Sequence, residues 1–227
     1  MTLSDRILFI DGEALVLDKP AGLPVDTPRA GGDSVERRLP ELACGFRRPP
    51  SPMHRLDRDT SGCLLLARNL KGRQRFAKAF ENGLVGKSYL AVVGTEIAGE
   101  EGMIDLPLAK ISTVETGWRM VVDEKGKTAR TRWRRIAVAD GQSLVEFRPE
   151  TGRTHQIRVH MAAQRHPCLG DAMYGADPQI SSRLELERQW LHAMRLGFRH
   201  PSTGDTVSFE SVYPADLQHA LDVLRDR

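Results

Sequence analysis

Cysteine is scarce in this chain, long apolar runs are missing and net charge is small, and each absence removes a class of protein. The three cysteines, Cys44, Cys63 and Cys168, stand far apart among 227 residues, with no C-x-x-C pair and no even count. A disulfide framework is therefore excluded, and reduced thiols in a cytoplasmic protein are expected. No stretch of about 18 apolar residues occurs, so no membrane span is expected. Met1-Thr2-Leu3-Ser4-Asp5-Arg6 shows no basic segment leading into an apolar one, so no secretion signal is expected either. Lys plus Arg is 33 and Asp plus Glu is 30, a net charge of +3, which permits a nucleic-acid partner without demonstrating one.

Several site types are missing as well. There is no G-x-x-x-x-G-K-[ST] and no G-x-G-x-x-G, and Ser61 lacks the G-x-S-x-G context of an elbow nucleophile. His155 and His160 are five positions apart, on different sides of a helix, so the i, i+4 zinc pair is not offered and no metal is expected. Neither an internal repeat nor a low-complexity linker interrupts the chain. With 40% hydrophobic and 28% charged residues over 227 positions, a single domain spanning residues 1–227 is the expectation.

What is present reads mostly as short strands. Ile7-Leu8-Phe9-Ile10 and Ala14-Leu15-Val16-Leu17 flank Asp11-Gly12-Glu13 as a hairpin, and Lys19-Pro20-Ala21-Gly22 then forces a loop. A short helix is expected over 34–39. Within Met53 to Asn69 a polar loop feeds a buried strand. Asn69 suits a helix N-cap, with Leu70, Phe76, Ala77, Phe80 and Leu84 at roughly helical spacing behind it. Lys87 to Val93 returns as a strand, and several more lie between Ile104 and Phe147, with turns at Asp123 to Gly126 and at Asp140-Gly141. A helix beginning at Gly152 or Thr154 runs to Gln164. A last strand pair falls between Leu191 and Phe209, and an amphipathic helix over Ala215 to Arg225 turns Leu217, Ala220, Leu221 and Leu224 to one side. Strands dominate and helices do not alternate with them strictly, so an α+β fold with a mixed, mainly antiparallel sheet is expected.

Two polar segments sit beside these apolar ones. In His54 to Gly62, Arg55, Asp57, Arg58 and Asp59 crowd a turn, where they either face a ligand or form local ion pairs. In Glu150 to His160, Arg153 and Arg158 are cations able to hold a carboxylate ionised and oriented; alternatively, Arg158 anchors an amphipathic helix whose Ile157 and Met161 face the core. Asp57 and Asp59 also form a carboxylate pair, which keeps acid–base hydrolysis of a glycosidic bond open. A third feature is Lys127 to Arg135, five cations in nine residues around Trp133, which is either a nucleic-acid stripe or a solvated strand face.

His54-Arg55-Leu56-Asp57-Arg58-Asp59-Thr60-Ser61-Gly62 resembles the H-R-L-D-x-x-T-S-G signature of RluA-type pseudouridine synthases. Lys19-Pro20-Ala21-Gly22 resembles that family's early K-P-x-G, Lys87-Ser88-Tyr89 its K-x-Y, and Gly152 to His160 its G-R-T-H-Q-I-R-x-H. Leu191-His192-Ala193 with His200-Pro201 resembles the closing L-H-A and H-P, so the blocks run in family order from residue 19 to residue 201. The resemblance implies an active cleft across the middle of the sheet and isomerisation of a uridine without cofactor or metal. It makes Asp57 the catalytic aspartate, Tyr89 the active-site tyrosine, Arg158 the arginine that pairs with the aspartate, and Arg55 the side chain that enters the space left by a flipped base. Lys87, Arg130, Arg132 and Arg134 are expected on phosphates, with Arg153 and His155 as further RNA contacts. Residues 1–18 are too few for the S4-type domain that some relatives carry in front. The expected partner is tRNA, large-subunit rRNA or both, and the expected state is a monomer.

Overall fold

The structure, a computed structural model, describes residues 2–113 and 117–225. Along the chain come β1 (Ile7–Ile10), β2 (Ala14–Lys19), α1 (Val35–Arg38), β3 (Ser51–Pro52), β4 (Ser61–Ala67) and α2 (Leu70–Glu81). Next are β5 (Gly86–Val93), β6 (Glu101–Asp105), β7 (Leu108–Thr113), β8 (Gly117–Val122), β9 (Arg130–Ala139), β10 (Gln142–Pro149), α3 (Gln156–Ala163) and α4 (Pro178–Arg183). Then β11 (Leu191–Arg199), β12 (Thr206–Glu210) and α5 (Ala215–Arg225) close the chain. Two compact units form from these, each drawn from two stretches of sequence: Met1–Lys87 with His192–Tyr213, and Ser88–Leu191 with Pro214–Arg227.

In the first unit β1, β2, β4 and β11 are hydrogen-bonded in that order, with β3 also on β4 and β12 on β11. Every pairing there is antiparallel except β4 with β11. The β1–β2 turn is set by Asp11, whose Oδ1 accepts the amides of Glu13 and Ala14 at 2.8 and 2.7 Å. β4 is buried along its whole length, which is why Cys63-Leu64-Leu65-Leu66-Ala67 is apolar without alternation. Its core gathers Val16, Leu65, Phe76, Leu196 and Phe198.

The second unit holds the antiparallel ladder β5-β10-β9-β6 and the hairpin β7–β8. The turn between β9 and β10 has positive φ at both Asp140 (48°) and Gly141 (72°), the Asp-Gly preference of a two-residue hairpin turn. Helix α3 lies on one face of the ladder, where Ile157 and Met161 pack with Ala91, Val93, Val145 and Phe147. Leu217, Ala220 and Leu221 of α5 are buried as expected, while the Leu224 side chain lies outside the described residues.

The mixed, mainly antiparallel α+β arrangement is the one expected, and two helix expectations need correction. The buried face of α2 is Gly72 and Phe76 with Ala79 and Phe80, whereas Leu70, Ala77 and Leu84 are exposed. Gly72 sets this orientation, because a Cβ there would stand 2.9 Å from the Glu13 carbonyl, so the helix lies close on the β1–β2 turn. Helix α3 begins only at Gln156, since His155 adopts a left-handed conformation (φ 52°) that no helical residue shares. Among the described residues no helix is long and apolar enough to cross a membrane.

Candidate active site

Asp57 stands in a turn of the first unit, closed by the Thr60 amide donating to the Asp57 carbonyl at 3.1 Å. The turn is held from beneath by Lys19, which is fully buried. Its ammonium donates to the carbonyls of Pro20 (2.7 Å), Leu23 (2.7 Å) and Arg58 (2.9 Å), tying the Lys19 to Gly22 loop to the residue next to Asp57. A buried lysine is costly unless its donors are met, so three carbonyls on one ammonium make a rigid peg. Behind the turn Ser61 bonds His192 Nδ1 at 2.9 Å, and His192 Nε2 meets the Ser211 carbonyl at 3.1 Å. Since Nε2 must donate to that carbonyl, Nδ1 accepts the Ser61 hydroxyl proton. Gly62 follows with φ 110°, and a Cβ there would lie 2.3 Å from the Ala193 carbonyl oxygen, so only glycine lets β4 and β11 meet here.

The flanking charges of this turn are ion-paired at the surface. Arg55 donates from Nη1 to Asp26 at 2.7 Å, with side chains 66% and 59% exposed, and Arg58 binds Asp59 at 3.0 Å. Such exposed pairs contribute about 0–1 kcal/mol, so a charged ligand can displace them. Lys87 is partly buried, with its ammonium 5.9 Å from the Phe80 ring centre, and burial lowers its pKa.

Arg158, Tyr89, Arg153 and His155 belong to the second unit. Gln156, whose role sequence reasoning misses although the motif contains it, builds the entry to α3: its Nε2 donates to the Arg130 carbonyl and to Thr131 Oγ1, and its Oε1 accepts from Thr151 and the Arg153 amide. His160 is fully buried, with Nε2 on the Leu106 carbonyl at 3.0 Å and Nδ1 on Thr131 Oγ1 at 2.9 Å. Arg158 forms a fork with Asp171, Nε to Oδ2 at 2.7 Å and Nη2 to Oδ1 at 2.9 Å, both side chains buried. Its Cζ lies 5.0 Å from the centre of the Tyr174 ring. His155 Nδ1 bonds the Tyr174 hydroxyl at 2.8 Å and its ring meets Trp118 at 5.2 Å, while Arg153 Nε donates to the Thr128 carbonyl at 3.0 Å. Asp171 and Tyr174 escape sequence reasoning as well, because Pro167, Gly170 and Gly175 make that stretch read only as loop. The spacing Gly170-Asp171 with Tyr174-Gly175, two polar side chains between two turn glycines, is the signal it carried.

Tyr89 pairs across β5 and β10 with Phe147, which pairs with Trp133 on β9, and these three share the face that α3 covers. Thr131 points the same way, toward Gln156 and His160. By strand alternation Arg130, Arg132 and Arg134 lie on the opposite face. Each holds a carboxylate there: Asp105 at 2.9 Å, Glu150 at 2.6 Å and Glu146 at 3.0 Å. Glu146 is the buried member. Burial would raise its pKa, but hydrogen bonds from Ser88, Arg134 and Arg148 outweigh that and hold it lowered.

A family model for RNA pseudouridylate synthases matches residues 13–163. The chain is 53% identical over 197 residues to an uncharacterized RNA pseudouridine synthase of Zymomonas mobilis, covering 86% of this chain and 87% of that one. It is 36% identical over 230 residues to the ribosomal large subunit pseudouridine synthase D of the same organism, covering 96% and 72%. Among solved structures it matches human RNA pseudouridylate synthase domain containing 4 with a TM-score of 0.81 at 26% identity, covering 98% and 94%. The chain therefore belongs to the RNA pseudouridylate synthase family, in its RluA branch. Its activity is that of an RNA uridine isomerase, which answers the glycosidic hydrolysis that Asp57 and Asp59 had left open.

Proposed function

We propose that the chain converts a defined uridine of large-subunit rRNA to pseudouridine, with Asp57, Tyr89 and Arg158 as the catalytic residues. The observation that carries this is the Asp57 turn, pegged by the Lys19 ammonium and placed inside the family match. The choice of rRNA over tRNA rests on relatives whose names specify the ribosomal large subunit. In the reaction the N1–C1′ bond breaks, the uracil turns, C5 bonds to C1′, and the C5 proton is lost as N1 regains one, so no co-reactant is consumed. An ionised carboxylate serves this either as nucleophile at C1′ or as base toward a sugar proton, and Asp57 supplies it on either route. The buried Arg158 guanidinium is able to orient a carboxylate, and Tyr89 offers a ring for the uracil to stack on.

A stacked uridine is out of reach, so the base is extruded at a cost on the order of a few kcal/mol. Arg55 offsets that by leaving Asp26 and filling the gap. Lys87, Arg130, Arg132, Arg153 and His155 contribute RNA contacts; for the β9 arginines these lie away from the face bearing Tyr89, so they add affinity rather than rate. The protein acts as a monomer in the cytoplasm. The test is carbodiimide-dependent reverse-transcription mapping of large-subunit rRNA and bulk tRNA after incubation with the purified chain. A new stop at one rRNA uridine, absent with Asp57→Asn, is expected; a stop in tRNA alone would overturn the rRNA assignment, and stops that survive Asp57→Asn would overturn the role of Asp57.

A further inference from the structure

Resting on the catalytic role proposed for Arg158, we infer that Asp171 is a positioning residue for the reaction, fixing the plane and direction of the Arg158 guanidinium. The two-point contact engages the Nε edge of the guanidinium, at 2.7 and 2.9 Å, which removes rotation about the last side-chain bonds and sets where the third nitrogen points. Arg158 and Asp171 are 7% and 1% exposed, so water does not compete for the pair. Below the guanidinium lies the Tyr174 ring, itself held by the Met120 amide donating to its hydroxyl at 3.2 Å and by His155.

The backbone carrying Asp171 is built as a frame although it is not regular structure. Cys168 bridges Val93 on β5, the Leu169 amide donates to Val92 at 2.8 Å, and the Trp190 amide donates to the Leu169 carbonyl at 2.7 Å. Gly170 has φ 72°, and a Cβ there would fall 2.0 Å from the Arg188 carbonyl oxygen, so the chain passes too close for any other residue. The Asp171 carbonyl then accepts the amides of Tyr174 and Ala176 at 3.2 and 3.1 Å. Stability alone is a poor reason for this construction, because a buried ion pair is often no better than apolar packing of the same volume. Fixing a donor's direction is a good reason, since a misplacement of about 1 Å costs a reaction about 100-fold.

The experiment is single-turnover tritium release from 5-tritiated large-subunit rRNA and bulk tRNA at saturating enzyme, with RNA affinity measured separately and folding checked by circular dichroism. Asp171→Asn is expected to lower the rate about 100-fold while the RNA Kd stays within about threefold. In an Arg158→Lys background, where no fork can form, the same change should cost less than about tenfold. If Asp171→Asn does not fold, Asp171→Glu keeps the charge and displaces the carboxylate, and a slowed rate at unchanged Kd is expected. A folded Asp171→Asn or Asp171→Glu at wild-type rate overturns the inference, as does full additivity with Arg158→Lys. A wild-type chain that releases no tritium from either RNA overturns the proposed function and the inference with it, whereas an active wild type with an indifferent Asp171 overturns the inference alone.

Discussion

His54 accepts the Leu65 amide on Nε2 at 3.0 Å and lies 5.4 Å from the Phe80 ring, so its imidazole is neutral in the folded chain. Burial and then the nearby Lys87 ammonium lower its pKa to about 3. The first residue of the H-R-L-D block therefore acts as a fixed acceptor that ties the loop before Asp57 to β4, and it is not a proton donor at neutral pH. Below about pH 6.5 the unfolded chain binds a proton that the folded chain refuses until about pH 3. This stabilisation is complete above pH 6.5 and is lost as the pH falls, at up to about 1.4 kcal/mol per pH unit for one proton. His54→Gln should flatten the acid side of a urea-denaturation stability profile between pH 6 and about pH 4. An unchanged slope in that variant would mean that His54 is protonated in the folded chain.

Strand alternation decides what each element contributes. On β9 it sends Thr131 and Trp133 toward α3 and Arg130, Arg132 and Arg134 to the other side, so the basic stripe that stood out in the sequence lies on a different face from Tyr89. Spacing gave the cluster of cations; the face it occupies and the carboxylate on each arginine depend on β6, β10 and Glu150 just past β10, which meet β9 only in the fold. Arg132 offers the cleanest test, because Arg134 also holds the buried Glu146 and its loss would cost stability. Arg132→Ala should reduce the slope of log affinity against log salt by about 1 and leave the rate at saturating RNA unchanged. A loss of rate at saturating RNA would place Arg132 at the chemistry. Helix α2 teaches the same lesson, since Asn69 was legible as its cap from local chemistry, whereas its buried face was set by contact between Gly72 and Glu13.

For the whole molecule, family and fold class were legible because the motif blocks are contiguous and the apolar strands are short and frequent. The partners of the motif residues were not. Lys19 and Arg58 are 39 positions apart, Ser61 and His192 are 131 apart, and Asp171 lies on a stretch whose glycines looked like punctuation. Each unit is itself assembled from two separated stretches, so no local window contains a complete supporting shell. In the proposed isomerisation Asp57 acts and the base never leaves the RNA. The most direct test is chromatography of rRNA labelled in the uracil ring, after reaction with wild type and with Asp57→Asn, separating free uracil from nucleosides of the digested RNA. Labelled pseudouridine and no free uracil are expected from the wild type, and neither product from a folded Asp57→Asn. Free uracil from the wild type, or pseudouridine from the variant, would contradict that isomerisation.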